Sequence, residues 1–130
     1  MIILPQEIEV WHVLPALRKG LVEELLKLGL RQKDAAEKLG LTAAAVSQYQ
    51  HDKRGNIKFN PRIRKEIAVS AKKIIDGMPV MNEMIRLCKF VRESLTLCEL
   101  HKIYDKNVPS SCDPQETGCI DMEEPLLQIK

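Results

Sequence analysis

Residues 32–54 read QKDAAEKLGLTAAAVSQYQHDKR, and this stretch predicts two short helices joined by a glycine turn. In the first helix, residues 32–39, small apolar side chains recur on one face at Ala35, Ala36 and Leu39, so another helix could cross closely. Gly40 follows where the chain must turn sharply, because glycine reaches positive φ without a steric cost. Thr42 offers an N-cap hydroxyl to a second helix, whose inward positions would be Ala45, Val46 and Tyr49.

The outward face of this second helix combines small and polar side chains. They are Ala43, Ala44, Ser47, Gln48 and His51, with Lys53 and Arg54 just beyond the helix. Glutamine can make two hydrogen bonds to adenine, serine can contact several bases, and an alanine methyl can pack on a thymine methyl. The pattern therefore predicts a helix-turn-helix whose second helix enters the major groove at its N-terminal end. An ordinary helical hairpin with an incidental polar face is the alternative.

Charge divides the chain into a basic and an acidic part. Residues 1–75 carry 14 Lys and Arg against 8 Asp and Glu, whereas residues 76–130 carry 6 against 10. Many of the basic side chains follow the predicted recognition helix directly, where they would neutralise phosphates and supply sequence-independent affinity. The expected DNA-contacting residues are Gln32, Thr42, Ala43, Ala44, Ser47, Gln48, His51, Lys53 and Arg54.

The segment from about Trp11 to Gly55 resembles the archaeal transcriptional regulators with an Xre/lambda-repressor-like helix-turn-helix. Its most specific part is AAVSQY followed by KRG, and the strong resemblance covers roughly a third of the chain. The resemblance implies a five-helix DNA-binding domain, usually dimeric, that represses or activates transcription. Some similar members carry a cysteine-bearing C-terminal segment.

Further helices are predicted on both sides of this motif. Leucines at three- and four-residue steps up to residue 28 indicate an amphipathic helix. Pro15 is expected in its first turn, after a short element that ends at Val13, and Gly29 is expected to end it. Pro61 is expected to open another helix that runs through Asp76. Because no apolar run reaches a membrane span and no signal peptide is visible, the expected location is the cytoplasm, with no membrane partner.

Residues 80–98 predict one more helix with an apolar seam. Its members, three or four residues apart, are Met81, Met84, Cys88, Val91, Leu95 and Cys98. This spacing matches the a and d positions of a coiled coil, and we interpret the seam as a homodimerisation helix. Packing of the seam on its own domain is the alternative. The charged residues between, including Glu83 and Arg86, are expected on the solvated side.

All four cysteines lie in the last 43 residues, at Cys88, Cys98, Cys112 and Cys119. A reducing cytosol favours metal ligation or redox chemistry over structural disulfides. The wide spacing favours an iron–sulfur cluster, with zinc or unligated thiols as alternatives, and His101 is an alternative ligand through a C-x-x-H pair with Cys98. An unbroken helix would hold Cys88 about 15 Å from Cys98, so either the helix breaks near residues 94–96 or one of the two cysteines is not a ligand. Cys88 is the weaker candidate, because a cysteine in the seam can serve as a small buried apolar residue.

These patterns together predict an all-α protein. Residues 1–78 would form a lambda-repressor-like helix-turn-helix domain, and residues 79–130 a dimerisation helix followed by an irregular cysteine-containing tail. The expected function is a sequence-specific transcriptional regulator that binds double-stranded DNA as a homodimer and senses redox state or metal. The alternatives are an antitoxin-like DNA binder and a small redox or metal-handling protein. No nucleophile and base set, phosphate loop or acid pair in the sequence indicates an enzyme.

Overall fold

The structure, a computed structural model, describes residues 2–51, 57–94 and 96–105, and this part of the chain is all-α. Its helices are α1 (Pro5–Ile8), a π-helical segment (Glu9–Val13), α2 (Leu14–Lys27), α3 (Gln32–Leu39), α4 (Ala43–Gln50), α5 (Pro61–Ile75), α6 (Val80–Glu93) and α7 (Thr96–Tyr104). Among the described residues, no helix has both the length and the apolar character that crossing a membrane requires.

Pro15 lies in the first turn of α2, as predicted, but the chain stays helical before it. Val13 has α-helical dihedrals (φ −73°, ψ −50°), and the Leu14 N–H donates to the carbonyl of Glu9, five residues back. In a regular α-helix a proline ring clashes with the carbonyl four residues earlier. The wider π-helical turn therefore lets the chain stay helical from α1 through α2 despite Pro15.

Helix α2 is the centre of the core and contacts α3, α4, α5 and α6. Its inward side chains are fully or almost fully buried: Ala16, Leu17, Leu21, Val22 and Leu25. The crossing with α5 is close, because a β-carbon at Gly20 would lie 3.0 Å from Ile67 Cδ1. Burial of such aliphatic side chains contributes about 1.5–3 kcal/mol each to folding, which makes α2 the element on which the others are assembled.

Two helices, α6 and α7, cover the region that was predicted as one helix over residues 80–98. Only part of the predicted seam is exposed to solvent. Helix α6 ends at Glu93, and α7 starts at Thr96. Cys88 and Val91 are buried in the same core as α2, together with Leu87 and Leu100, whereas Met81 is 69% exposed. The single helix over residues 80–98 is therefore wrong, and the alternative of a break near residues 94–96 is confirmed. The partner-facing orientation of Cys88 and Val91 is wrong. The core thus continues past residue 78. Burying this face within one chain avoids the translational and rotational entropy that two chains would lose by pairing through it.

Glu83 and Arg86 were expected on the solvated side of α6, and this expectation is wrong. Glu83 is 3% exposed, and its Oε1 accepts hydrogen bonds from Ser70 Oγ (2.8 Å) and Arg86 Nε (3.1 Å). Arg86 also donates to Glu66 Oε1 (3.2 Å), to the Glu66 carbonyl (3.3 Å) and to Ser70 Oγ (2.6 Å). We call these four residues the α5–α6 polar clamp. Its hydrogen bonds satisfy a carboxylate that would otherwise be costly to bury.

Helix α7 packs against the N-terminal segment. The Ile3 N–H donates to Asp105 Oδ2 (2.9 Å), and His101 Nε2 donates to the Ile3 carbonyl. The rings of His12 and Tyr104 stack with centroids 4.1 Å apart. These contacts join residues about a hundred positions apart, and they close the described part of the fold.

Candidate nucleic-acid interface

The turn between α3 and α4 has the geometry that the sequence predicted. Gly40 lies in the left-handed region (φ 65°). The Gly40 N–H donates to the Glu37 carbonyl (3.3 Å) and the Leu41 N–H to the Ala36 carbonyl (2.8 Å), which is the Schellman pattern of a glycine-terminated helix. Two residues later Thr42 Oγ1 accepts a hydrogen bond from the Ala45 N–H (3.0 Å) and caps α4. The turn is thus specified by hydrogen bonds within a few residues of Gly40.

Packing fixes which face of α4 is outward. Val46 and Tyr49 are buried against α2 and α3, as predicted, and Ala45 is half-buried. Ala43 and Ala44 are exposed at the N-terminal end of the helix, beside the exposed Thr42. Because these side chains are short, a flat or grooved surface can approach the backbone of this end closely.

Ser47 and His51 form a local pair at the C-terminal end of α4. His51 Nδ1 lies 2.8 Å from the Ser47 carbonyl oxygen and 3.4 Å from Ser47 Oγ. Since a carbonyl oxygen can only accept, Nδ1 carries the proton in this arrangement. Nε2 of a neutral ring is then the acceptor on the exposed His51 side chain, and an exocyclic amino group of cytosine or adenine is a complementary donor.

Gln48 lies closer to the core than the predicted base-contacting role requires. The residue is half-buried, and its Oε1 is fully buried with no hydrogen-bond partner in the described part of the chain. A buried amide oxygen without a donor costs about 1–3 kcal/mol. Rotation of the side chain outward would relieve that cost, and the amide oxygen of Gln48 can reach a ligand only after such a rotation.

Gln50 belongs to the exposed polar face and was missed in the sequence analysis. Gln32 Nε2 donates to Gln50 Oε1, which links the start of α3 to the end of α4, and both residues are exposed. The missed signal was helical spacing, since Gln50 follows Ser47 by three residues and Ala43 by seven. Gln32 thus lies beside the outward face of α4, where it was expected to approach phosphates.

Basic side chains near the motif are only partly described. Lys53 and Arg54 lie outside the described residues. Lys58 is exposed just before α5, and Arg62, Arg64 and Lys65 are exposed within the first two turns of α5. The Arg62 guanidinium lies 5.5 Å from the centre of the Phe90 ring. Arg31, the N-cap residue of α3, pairs with Asp34 (3.1 Å), so part of its charge is already compensated.

The predicted metal ligands are not brought together within the described part of the chain, where no group of three or more His, Cys, Asp or Glu side chains could hold a metal ion. Cys88 is buried, and this burial, with Glu9 close by, raises the pKa of its thiol to about 11. Metal binding releases the proton of a cysteine ligand, and the raised pKa makes that release from Cys88 less favourable. Cys98 is half-buried on α7, and His101 already bonds the Ile3 carbonyl. Cys112 and Cys119 lie outside the described residues.

No family model matches this chain, and neither a curated protein nor a solved structure gives a significant match. The resemblance to Xre/lambda-repressor-like regulators therefore stays a prediction. The geometry of α3, the turn and α4 is the observation from which a function can be inferred.

Proposed function

We propose that this chain is a cytoplasmic, sequence-specific DNA-binding regulator of transcription whose α4 is the recognition helix. The observation that carries the proposal is the α3–turn–α4 unit. In this unit the capped helix α4 buries Val46 and Tyr49 and leaves its N-terminal end, Ala43 and Ala44, exposed. A helix-turn-helix presents its second helix to the major groove in this way, with the N-terminal end nearest the bases.

The outward side chains of α4 support double-stranded DNA as the ligand. Short side chains at the leading end allow the helix to enter a groove about 12 Å wide. Ser47, Gln50 and His51 offer hydroxyl, amide and imidazole groups along the same helix, with Gln48 able to join them after rotating outward. Hydrogen bonds from such groups to base edges would supply sequence discrimination.

Phosphate contacts are proposed for Gln32, Lys53 and Arg54. Gln32 stands at the first position of α3 and is exposed, where amide groups and the helix N-terminus are suited to a phosphate. Lys53 and Arg54 follow α4 directly in the sequence. Contacts of this kind position a protein on the duplex and make its affinity depend on salt.

The test begins with selection of bound duplexes from a random-sequence pool, followed by binding measurements at several salt concentrations. Gln48→Ala should cost about 1–3 kcal/mol on the selected site and little on unrelated DNA. The double variant Lys53→Ala with Arg54→Ala should weaken binding to all DNA alike and reduce the salt dependence. Gln6→Ala, an exposed glutamine on α1, is the matched control and should change neither. Absence of any salt-dependent DNA binding by the unaltered protein would refute the proposal.

The proposed regulator acts as a homodimer, and its cofactor is proposed from the cysteine pattern alone. The described residues do not provide a ligand set, since Cys88 is a buried thiol and His101 is engaged with Ile3. An iron–sulfur cluster, or zinc as the alternative, would therefore depend on Cys98, Cys112 and Cys119. Anaerobic purification with a visible absorption spectrum and iron, sulfide and zinc analysis tests this. A colourless protein without iron, sulfide or zinc would refute both cofactors and leave the DNA-binding proposal intact.

A further inference from the structure

Helix α5 presents one exposed face whose charges all have the same sign. Its opposite side is buried in the core through Ile63, Ile67, Ser70, Ala71 and Ile74. Seven residues of α5 are exposed, and five of these seven are Lys or Arg. Four of the five lie on the side of the helix that points away from the buried residues, and we call them the α5 cationic face: Arg62, Lys65, Lys72 and Lys73.

The four side chains form one row, because α5 is an uninterrupted helix and residues three or four positions apart are neighbours on a helix surface. Steps of this size lead from Arg62 to Lys65 and then to the exposed Val69. Both Lys72 and Lys73 are one such step beyond Val69. At a rise of 1.5 Å per residue the row is about 16 Å long.

No carboxylate in the part of the chain that the structure describes compensates this charge. None of the four cations forms an ion pair there. Glu66, the only acid of α5, is instead paired with Arg86 of α6 at 3.2 Å. By contrast, Lys27 at the end of α2 has Glu24 as its partner at 3.5 Å. The α5 cationic face therefore keeps four positive charges for whatever binds it.

The stability of the isolated chain gives no reason for the whole row. Arg62 and Lys65 stand in the first two turns of α5, where the positive end of the helix macrodipole makes a cation unfavourable. They are also three residues apart, so their like charges repel. Lys72 and Lys73, in the last turn, are favourably placed for the macrodipole. The repulsion at the start of the row turns into attraction only when an anionic partner lies along it.

We propose that the α5 cationic face binds the phosphate backbone of double-stranded DNA, as a second DNA-binding surface in addition to α4. The inference rests on the proposed function and extends it by naming a helix that supplies sequence-independent affinity. A row of cations matches a linear polyanion, and duplex DNA carries one negative charge per roughly 1.7 Å of its axis. The Arg62 guanidinium is already positioned, because it lies 5.5 Å from the centre of the Phe90 ring.

Three other occupants match this face less well than DNA does. A second copy of the face would bring like charges together. A helix that lies on an anionic membrane inserts large apolar side chains such as Trp, Phe or Leu, whereas the apolar residue within this row is Val69. Residues 106–130 of the same chain are acidic, but their five Asp and Glu are offset by two Lys and are spread over the whole segment. The duplex offers the highest density of negative charge.

The test measures DNA binding of the full chain by fluorescence anisotropy over a range of salt concentrations, on the selected site and on an unrelated duplex. Lys65→Gln with Lys72→Gln, the α5 pair, removes two charges from the face. Lys27→Gln with Lys89→Gln, the control pair, removes the same charge from exposed positions on α2 and α6.

The α5 pair should weaken binding to both duplexes alike, on the order of ten- to a hundredfold at about 0.1 M salt, because two phosphate contacts are lost. The slope of log K against log salt should become shallower by about 2. The ratio of the affinities for the two duplexes should stay the same, since phosphate contacts carry no sequence information. The control pair should change neither the affinity nor the slope. Circular dichroism checks that each variant keeps its helical content.

Several results would overturn the inference. Equal losses for the α5 pair and the control pair would make the effect one of net charge rather than of this face. Binding to vesicles of phosphatidylserine and phosphatidylcholine that is lost in the α5 pair, with DNA binding unchanged, would assign the face to a membrane surface. Lys65→Gln without DNA should leave the free energy of unfolding unchanged or slightly higher, because it removes repulsion. A clear fall would assign the face to an acidic segment of the same chain.

The same measurements separate this inference from the proposed function. A protein that binds all duplexes alike, and loses that binding in the α5 pair, refutes only the sequence-specific function. A protein that discriminates between sequences, and whose α5 pair binds as the unaltered protein does, refutes only the inference. Absence of binding to any duplex refutes both.

Discussion

Arg86→Met should destabilise the protein by about 3 kcal/mol at neutral pH, because it removes the cation from the α5–α6 polar clamp. Arg86 makes four hydrogen bonds there, to Glu83, Ser70 and two oxygens of Glu66. Without it the Glu83 carboxylate, 3% exposed, keeps only the Ser70 hydroxyl as a described donor. Removing one partner of a buried ion pair costs about 3–5 kcal/mol, and we take the lower end because the Arg86 side chain is 32% exposed.

The assay is urea unfolding followed by far-ultraviolet circular dichroism, with equal m-values required before free energies are compared. Lys89→Met is the matched control on the same helix, since Lys89 pairs with Glu93 at 3.9 Å on the surface and should cost no more than about 0.5 kcal/mol. Adding Glu83→Gln to Arg86→Met removes the uncompensated charge, so the double variant should lose about 1–2 kcal/mol less than the sum of the single variants. Equal losses for Arg86→Met and Lys89→Met, or strict additivity with Glu83→Gln, would refute the clamp as a buried, coupled unit.

Three further predictions concern the cap, the close helix crossing and the buried thiol. Thr42→Ala should lower the free energy of unfolding by about 1 kcal/mol because the Ala45 N–H loses its acceptor; in urea unfolding Thr42→Ser should restore most of it, and equal losses would exclude capping. Gly20→Val should cost about 1–3 kcal/mol through overlap with Ile67, and in the same assay Ile67→Ala should cost less in the Gly20→Val background than alone. The pKa of Cys88 is raised from 9.0 to about 11. The protonated thiol therefore contributes fully to the free energy of unfolding below pH 9, and this contribution is lost as pH rises through 11. Urea unfolding between these values should show a steeper loss of stability for the unaltered protein than for Cys88→Ala, and parallel curves would count against the raised pKa.

Much of the candidate site could be predicted from the sequence because its signals are local. Gly40 and Thr42 act through hydrogen bonds to residues at most four positions away, so the turn and the start of α4 follow from residue type and spacing alone. Pro61 marks the start of α5 in the same way, and the structure adds a cap there, with Asn60 Oδ1 accepting from the Ile63 N–H at 3.0 Å.

The position of Gln48 could not be predicted in this way. Helical periodicity placed it outward, at one edge of the face that contains Ser47 and His51. How deeply that edge is buried depends on the angle at which α4 packs against α2 and α3. This angle is set by the volumes of side chains that are distant in sequence.

The sequence by itself determined that this is a helical protein, where α3 and α5 begin and end, where α4 begins, and which face of α4 is apolar. Each of these depends on interactions within one or two helical turns, which residue order specifies directly. Only the tertiary structure decided that Cys88 and Val91 of α6 are buried in the core of the same chain. The same holds for the buried Glu83 with its hydrogen bond from Arg86, and for the contact of the α7 end with Ile3. Periodicity shows that a helix has an apolar face but not what covers it, because the covering surface is assembled from distant segments whose shapes and charges must match in three dimensions.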